Sequence, residues 1–320
     1  MRLVFCGTPD FAVPAFRHFL AQPDFQILGV ITQPDRPRGR GRELSFSPIK
    51  EASLDARIVV HQPEKIRAPE VQALLEGLAP DAIVIIAYGQ IIPASLLPIP
   101  KFGWINLHAS LLPKYRGAAP LNWAIVNGEA KTGVTTMRID AGMDTGDVLL
   151  QEEVAIGAAE TAPELAARLA VLGAPLMSKS LRGLADGSIT PRPQRGWEAS
   201  LAPILKREDG RINWALTASE IFNRIRGFAP WPGAFTTFRG QTCHIWGEPS
   251  SGASSANEPA AQGNAPLGTI FVHHNEVFVS CAGPTYLRVT AVKLEARKHV
   301  SAAEFLNGAR LRPGERFRES

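Results

Sequence analysis

The sequence has few cysteines and no long apolar run. Its three cysteines, Cys6, Cys243 and Cys281, are widely spaced and form no Cys-x-x-Cys pair, which argues against a disulfide framework or a cysteine zinc site. The seven histidines show no ligand spacing either. No stretch approaches the roughly 18 apolar residues of a membrane span, and no signal-peptide pattern precedes the first strand-like run. We therefore expect a cytoplasmic protein with no membrane span and no bound metal.

Two common site motifs are also missing. Gly7-Thr-Pro-Asp10 follows an apolar run, but it has one glycine where a dinucleotide fingerprint has Gly-x-Gly-x-x-Gly, so the sequence does not support dinucleotide binding. This segment fits either a tight strand-to-helix turn or a part in substrate binding. There is no Gly-x-Ser-x-Gly elbow for a serine nucleophile. The sequence therefore gives little support to acyl transfer through a covalent serine intermediate.

The size and charge of the chain indicate two domains with different partners. At 320 residues, 45% apolar and 20% charged, the chain is typical of a globular protein of two domains. Residues 201–320 hold 14 Lys and Arg against 10 Asp and Glu, whereas residues 1–200 hold 20 of each sign. A basic C-terminal part predicts a polyanionic partner for the second domain.

Apolar runs of strand length alternate with helical patterns through the first half of the chain. Strands buried on both faces and separated by helices predict an α/β fold with a mostly parallel sheet, whose functional groups gather at the carboxyl ends of the strands. A capping box at Thr161 predicts a long helix that Pro175 kinks or breaks. The other expected elements are strands at 3–6, 27–32, 57–60, 82–87, 104–107, 134–139 and 148–154, and helices at 11–20 and 69–78.

The second half of the chain has a different pattern. After a stretch rich in Pro and Arg, a helix at 217–226 precedes short strands with turn signals, which predict a compact β-barrel. Residues 249–266, rich in Ser, Ala, Gly and Asn, are expected to form a flexible loop. The expected strands are 234–238, 242–246, 268–272, 277–281 and 286–292, followed by a small helix at 302–306. We expect a catalytic domain at 1–186, a linker at 187–206 and the barrel domain at 207–320.

Asn106, His108 and Asp144 form the candidate chemical site. The two-residue period of a strand puts the amide and the imidazole on one face, where both can donate hydrogen bonds to a developing oxyanion. The glycine-bracketed loop from Asp140 to Gly146 can bring Asp144 against the imidazole, orient it and favour its charged form. The same carboxylate can accept a proton from an attacking amine. This arrangement predicts direct acyl transfer, although a lone strand histidine is more often structural.

A second feature is a run of arginines after the second predicted strand. Arg36, Arg38, Arg40 and Arg42 place four arginines within seven residues, with glycine among them. Arginine on a flexible backbone suits phosphate and base-edge contacts on RNA. A solvated loop is the alternative interpretation.

The motifs around these residues resemble the formyltransferases that use 10-formyltetrahydrofolate. The resemblance begins with Asn106-x-His-x-Ser-Leu-Leu-Pro113 and Asp140-x-Gly-x-Asp-Thr-Gly146, and it extends over both halves of the chain. Further matching segments are Phe5-x-Gly-Thr-Pro-Asp-Phe11, Gln33-Pro-Asp-Arg-Pro37, Ala87-Tyr-Gly89, Arg116-Gly-Ala-Ala-Pro120 and Pro230-Trp-Pro232.

The resemblance implies a Rossmann-like catalytic domain, a C-terminal domain of OB type, and catalytic roles for Asn106, His108 and Asp144. It implies transfer of the formyl group to the α-amino group of methionine on initiator tRNA, by a monomer without a metal. The arginine loop at 36–42 would enter the acceptor stem. The implied folate-binding residues are Ile86, Ala87, Tyr88, Gly89, Ser110, Leu111, Leu112, Pro113, Asp140 and Thr145.

The junction between the two halves departs from the family pattern. Leu201 stands where a tyrosine is usual, Ile204 where a basic residue is common, and Asn213 where an aspartate is usual. We expect Lys206 and Arg207 to supply the missing positive charge and to contact tRNA.

Two alternatives remain, an enzyme of the same fold and a protein of another functional class. A formyltransferase acting on a small molecule such as a nucleotide sugar, or a formyltetrahydrofolate hydrolase, would carry the same three catalytic residues. The arginine loop and the basic C-terminal part argue against it. A non-catalytic RNA-binding module with a relict enzyme domain is the other alternative, and the intact catalytic set argues against that one.

Overall fold

The computed structural model describes residues 1–38, 43–250, 265–312 and 314–318. The chain divides into two compact units. The first comprises Met1–Leu121, Lys131–Ala155 and Glu164–Pro203, and the second comprises Asn122–Ala130, Ile156–Pro163 and Ile204–Ser320. The second unit therefore includes two short segments from the first half of the chain. The domain boundaries given above remain a prediction.

The first unit contains eleven strands among its described residues, with helices between them. The strands are β1 (Arg2–Gly7), β2 (Gln26–Ile31), β3 (Arg36–Arg38), β4 (Glu43–Ser45), β5 (Val60–His61), β6 (Ala82–Ile86), β7 (Trp104–His108), β8 (Arg116–Gly117), β9 (Lys131–Arg138), β10 (Val148–Ala155) and β11 (Leu201–Ala202). The helices are α1 (Val13–Leu20), α2 (Pro48–Asp55), α3 (Pro69–Leu78), and α4 (Pro120–Val126) and α5 (Ala162–Asp186), each shared between the two units.

Seven of these strands form one sheet in the order β10-β9-β7-β6-β1-β2-β5. The five strands from β7 to β5 are parallel, and β9 and β10 extend the sheet in antiparallel fashion at the β7 edge. Every residue of β6 is buried, as expected for a central parallel strand covered on both faces. The predicted α/β class, with a Rossmann-like and mostly parallel sheet, is confirmed.

One local prediction for this unit is wrong: the strand expected at 57–60 begins only at Val60, because Arg57 adopts a left-handed conformation (φ 55°) at the end of α2. Of the two effects expected at Pro175, a break does not occur, because α5 continues through the proline as one helix of 25 residues. Burial of its apolar side chains, including Leu169 and Leu181, stabilises the helix on both sides of the proline. The kink stays a prediction.

The described residues of the second unit form an antiparallel β-barrel with two α-helices that lie wholly within the unit. The elements are β12 (Phe235–Phe238), β13 (Gln241–Pro249), β14 (Ile270–His273), β15 (Glu276–Cys281), β16 (Thr285–Leu294), β17 (Val300–Ser301), α6 (Ala218–Gly227) and α7 (Ala302–Ala309). Strands β12 to β16 pair in the order β12-β13-β16-β15-β14, and β17 pairs with β16. The segment at 249–266, expected to be a flexible loop, lies mostly outside the described residues.

The last described residues close this barrel. Arg316 forms a bridge with Thr269, which precedes β14, and Arg318 forms one with Thr237 in β12, so the two open edges of the sheet are joined. Between them, the fully buried ring of Phe317 stacks on Trp214 with centroids 5.9 Å apart. The expected OB-type barrel domain is confirmed in this closed antiparallel sheet. No helix among the described residues is long and apolar enough to cross a membrane.

Replacing Phe317 by alanine should destabilise the second unit. The change removes a buried ring and leaves a cavity where the closing segment packs, so we expect a loss of about 3–5 kcal/mol in its free energy of unfolding. Urea titration followed by tryptophan fluorescence measures this value. Val272→Ala, at a half-exposed position of the same barrel, is the control and should cost at most about 0.5 kcal/mol. Equal effects of both changes would contradict the packing role.

Candidate active site

The carboxyl end of β6 presents backbone groups. Ala87 and Gly89 both have positive φ angles, 49° and 89°, so the chain turns sharply as it leaves the strand. Between them, the buried Tyr88 has its carbonyl oxygen fixed by Thr8 Oγ1 at 3.3 Å and by Gln33 Nε2 at 3.1 Å. The turn therefore has a defined shape, whereas its only large side chain packs into the core.

Gly7 allows the neighbouring strand to approach this turn. A Cβ atom at Gly7 would lie 3.0 Å from the carbonyl oxygen of Ile86 and 2.9 Å from Ala12 Cβ. The absence of a side chain thus permits close packing of β1, β6 and the following helix. This geometry favours the structural interpretation of the Gly7-Thr-Pro-Asp10 segment.

Strand β7 presents Asn106 and His108 on one face. Asn106 lies opposite Met137 of β9, and its amide is half-exposed. His108 lies opposite Thr135, and its imidazole is buried. Among the described residues no protein group hydrogen-bonds the Asn106 side chain. Its amide is therefore available to a ligand at the end of the strand.

The turn that follows β7 is held by its own hydrogen bonds. Ser110 Oγ donates to the carbonyl of Lys114 at 2.7 Å. Thr135 Oγ1 donates to the carbonyl of Ser110 at 2.6 Å and accepts the amide N–H of Leu112 at 3.1 Å. The polar groups of the turn are therefore largely engaged inside the protein, while the Leu111 and Pro113 side chains remain half-exposed.

The loop that carries Asp144 reaches His108 by folding back over the sheet. Strand β9 runs antiparallel to β7, and the amide of Ile139 donates to the carbonyl of Trp104, at the opposite end of β7 from His108. The rule that sites gather at the carboxyl ends of parallel strands therefore accounts for His108 but not for Asp144. The return of the loop has to come from its internal structure and from its contacts with other segments.

Glycines shape that loop. A Cβ atom at Gly146 would lie 1.9 Å from the carbonyl oxygen of Arg138, and one at Gly142 would lie 2.0 Å from Thr145 Oγ1. Asp140 accepts hydrogen bonds from the Thr145 hydroxyl at 2.7 Å and from the Gly142 amide at 3.0 Å. The bracketing glycines of the motif are thus steric requirements of a tight turn that presents Asp144.

The imidazole of His108 is fixed by a backbone carbonyl. Its Nε2 lies 2.9 Å from the carbonyl oxygen of Tyr115. Because a carbonyl can only accept, Nε2 carries a proton. The other nitrogen, Nδ1, lies 3.7 Å from Asp144 Oδ2, which is close enough for charge interaction but too long for a hydrogen bond. The structure thus brings His108 and Asp144 together, as the sequence predicts.

Asp144 is held by both its side chain and its backbone. Its Oδ2 accepts the amide N–H of Gly117 at 2.8 Å. Its carbonyl accepts Gln194 Nε2 at 2.8 Å, and the same amide nitrogen donates to the carbonyl of Gly146 at 2.8 Å. Asp144 itself has a φ of 52°, a conformation unfavourable for a residue with a side chain. These contacts offset that cost.

Strand β8, which supplies several of these contacts, is paired with β11. The amide of Arg116 donates to the carbonyl of Ser200 at 2.8 Å, and the amide of Tyr115 donates to the Ser200 hydroxyl at 2.9 Å. At Gly117, with φ 122°, a Cβ atom would lie 2.6 Å from the carbonyl oxygen of Ala202. Residues of the segment expected to be a linker, 187–206, therefore pack against the site within the first unit.

The sequence-based list of site residues did not include Tyr115, Arg116, Gly117, Gln194 and Ser200. The signal that was available is the glycine of Arg116-Gly117, which has a backbone conformation that favours glycine. Nothing in the local sequence indicates that Gln194 and Ser200 return to the site, because their contacts span 48 to 85 residues.

The residues predicted to contact RNA lie in two places. Arg36 is exposed at the start of β3, which pairs with β4, while Arg40 and Arg42 lie outside the described residues. Of Arg38 only the backbone, at the end of β3, is described. Lys206 and Arg207 are exposed on the second unit. There, burial lowers the pKa of His244, and the charges of Lys293 and Arg207 lower it further, so cationic groups surround this part of β13.

The three cysteines do not contribute a nucleophile to the site. All are buried, and burial raises the pKa of Cys6 well above its usual range and those of Cys243 and Cys281 to about 12. Over the described ranges, no cluster of three or more His, Cys, Asp or Glu has the arrangement of a metal site.

Two family models match the chain. A formyl transferase model matches residues 1–181, and a model of the formyl transferase C-terminal domain matches residues 204–310. A protein from Solibacter usitatus strain Ellin6076 named methionyl-tRNA formyltransferase is 50% identical over 320 residues, which cover 100% of this chain and 99% of the relative. A protein of the same name from Acidobacterium capsulatum is 48% identical over 318 residues and 99% of each chain.

Solved structures show the same fold at lower identity. The crystal structure of WlaRD, a sugar 3N-formyl transferase determined in the presence of dTDP and 5-N-formyl-THF, has a TM-score of 0.65 and 20% identity. The match covers 93% of this chain and 99% of that chain. At this identity the likeness concerns the fold alone.

The native protein should resist thiol reagents. At pH 8 a thiol with a pKa of about 12 is ionised in about one molecule in 10,000, and the thiolate is the reactive form. We therefore expect no cysteine to react with Ellman's reagent within minutes, and all three to react in 6 M guanidinium chloride as a reagent control. Rapid reaction of one thiol in the native protein would show that a cysteine is accessible.

Proposed function

The chain belongs to the formyl transferase family, and we propose that it transfers a formyl group from 10-formyltetrahydrofolate to the α-amino group of methionyl initiator tRNA, as a monomer in the cytoplasm. The observation that carries the proposal is the match, over nearly the whole chain, to proteins named methionyl-tRNA formyltransferase at 48–50% identity. The arrangement of His108 and Asp144 at the end of β7 supplies the chemistry that this reaction requires.

The reaction needs a polarised carbonyl and a route for one proton. The free amine attacks the formyl carbon, a C–N bond forms, and a tetrahedral oxyanion develops. When this intermediate collapses, the bond between the formyl carbon and N10 of the folate breaks, and the amine proton is transferred to the leaving nitrogen. Asn106, whose amide is free of protein partners among the described residues, donates to the oxyanion.

His108 acts through Nδ1. Because Nε2 is engaged by the Tyr115 carbonyl, Nδ1 is the nitrogen available to donate to the oxyanion when protonated and to exchange a proton with Asp144. At 3.7 Å from Nδ1, Asp144 Oδ2 needs only a small approach to reach hydrogen-bond distance, at which a proton can pass between the two groups. Asp144 stabilises the imidazolium, receives the proton from the attacking amine and passes it on to N10 of the leaving folate.

We assign the folate to the turns after β6 and β7 and to the Asp144 loop. The turn at Ile86, Ala87, Tyr88 and Gly89 offers backbone N–H and C=O groups of defined direction, which suit the hydrogen-bonding edge of a pterin. Ser110, Leu111, Leu112 and Pro113 form an internally hydrogen-bonded wall with half-exposed apolar groups. Asp140 and Thr145 shape the remaining side through their mutual hydrogen bond.

The tRNA is proposed to contact Arg36, Arg38, Arg40 and Arg42 on the first unit, and Lys206 and Arg207 on the second. The base of the arginine loop is anchored. Lys50 donates to the Asp35 carboxylate, Gln62 Nε2 donates to it at 2.9 Å, and these contacts lower the pKa of Asp35. The same Gln62 amide donates to the carbonyl of Gln33 at 3.0 Å, which links the loop base to the turn around Tyr88.

The direct test is transfer of labelled formyl from 10-formyltetrahydrofolate to a panel of acceptors. We expect label on methionyl initiator tRNA and little on elongator methionyl-tRNA or on a dTDP-amino sugar. Formate release without transfer would indicate a hydrolase, and labelling of the sugar alone would indicate a small-molecule enzyme. Either result would refute the assigned acceptor while retaining the donor. Absence of any turnover would refute the enzymatic role.

Alanine at Arg40 or Arg42 should weaken tRNA binding without affecting folate binding. Each lost phosphate contact should reduce the slope of log binding constant against log salt concentration by about 1. Filter binding at several salt concentrations, together with KM for each substrate, measures the effect. Arg67→Ala, at an exposed arginine of the same unit, is the matched control. An unchanged salt slope in both loop variants would exclude the loop from phosphate contact.

A further inference from the structure

Gln194 is the centre of a set of contacts that the catalytic roles above do not use. Its Nε2 donates to two carbonyl oxygens of the acidic loop, those of Asp144 and Gly146, each at 2.8 Å. Its Oε1 accepts from Arg116 Nε at 3.1 Å and Nη2 at 2.8 Å. Every polar atom of the Gln194 amide is therefore engaged, and all partners lie within the first unit.

The geometry points to Gln194 and Arg116 as positioning residues of formyl transfer, which hold Asp144 at His108 without touching either substrate. This inference rests on the proposed function. The Arg116 guanidinium fixes the orientation of the Gln194 amide, because an Arg N–H can only donate and therefore pairs with Oε1. The amide nitrogen is then directed at the two loop carbonyls.

The contact is needed because Asp144 is conformationally strained. Its φ of 52° is unfavourable for a residue with a side chain, and the loop returns from the far end of β7 to reach His108. Two hydrogen bonds from one amide fix the loop on both sides of Thr145. The backbone contact sets where Asp144 stands, and the Gly117 amide then orients its carboxylate.

Arg116 and Gly117 therefore act on the same residue from one short strand. The Arg116 side chain reaches the Asp144 backbone through Gln194, and the Gly117 backbone reaches the Asp144 side chain directly. Their common support is the pairing of β8 with β11. Loss of Gln194 leaves the hydrogen bond from the Gly117 amide to the Asp144 carboxylate in place but frees the Asp144 backbone. The distance from the Asp144 carboxylate to Nδ1 of His108 is then no longer fixed.

The test compares Gln194→Ala and Gln194→Glu in the full-length protein. For both variants we expect kcat to fall by about 10- to 100-fold, the usual consequence of a small displacement of a catalytic group, with KM for both substrates within about twofold. Glutamate keeps the acceptor for Arg116 but presents oxygen to the Asp144 and Gly146 carbonyls. A positioning role therefore predicts no rescue of kcat by glutamate, although its ion pair with Arg116 should keep the protein folded.

A matched control and a readout independent of turnover complete the experiment. Gln22 also accepts an arginine N–H, from Arg182 at 2.8 Å, remote in sequence from the site, and Gln22→Ala should leave kcat unchanged. Hydrogen–deuterium exchange of the peptide containing residues 140–146 should accelerate in both Gln194 variants and not in the control.

Three results would overturn the inference: wild-type kcat in Gln194→Ala, recovery of kcat in Gln194→Glu, or unchanged exchange of residues 140–146. The exchange measurement also separates this inference from the proposed function. If the wild-type enzyme transfers no formyl group to tRNA, the proposed function fails, whereas faster exchange in the variants would still show that Gln194 holds the loop.

Discussion

The proposed active site depends on the parallel pairing of two dipeptides, Arg116–Gly117 and Leu201–Ala202. This short contact brings a segment from beyond α5 onto a turn that follows β7. From the turn, the Tyr115 carbonyl holds His108, and the Gly117 amide holds Asp144. Two hydrogen-bonded residue pairs thus support the segment whose backbone contacts both ionisable groups of the proposed site, while the seven-stranded sheet holds β7.

The electrostatic arrangement follows from the same contact. A carbonyl at Nε2 leaves only Nδ1 of His108 for chemistry, and the carboxylate faces that nitrogen. Had the backbone presented an N–H group instead, the imidazole would have taken the other tautomer and directed its proton at Asp144. The polarity of one peptide group therefore sets which nitrogen of the neutral His108 imidazole carries the proton.

Much of the fold could be predicted from the sequence because buried apolar residues recur along it with the spacing of a helix or a strand. Strand β6 is an uninterrupted apolar run, and α3 lies at the residues that its pattern predicts. Asn106 and His108 could be identified from the two-residue alternation of β7, and Asp144 from its glycines. Strands β8 and β11 could not be predicted. Each has only two residues, which is too short to show an alternating pattern, and the two strands pair across more than 80 residues of sequence. Gln194 was missed for the same reason, since a long-range hydrogen bond leaves no local pattern.

Much of this site is made of main-chain atoms, and that has a consequence for how its tolerance to mutation is measured. Exchanging the side chain of Tyr115 leaves its carbonyl oxygen in place, but the ring is buried and the residue has a φ of 60°, so a replacement also disturbs packing and backbone. The same holds for the turn at 86–89, where Ile86 and Tyr88 are buried and Gly89 has a φ of 89°. A side-chain scan would therefore record lost stability at these positions and would not show what their peptide groups contribute. Only changes to the peptide itself, such as an ester in place of an amide, would separate the two effects.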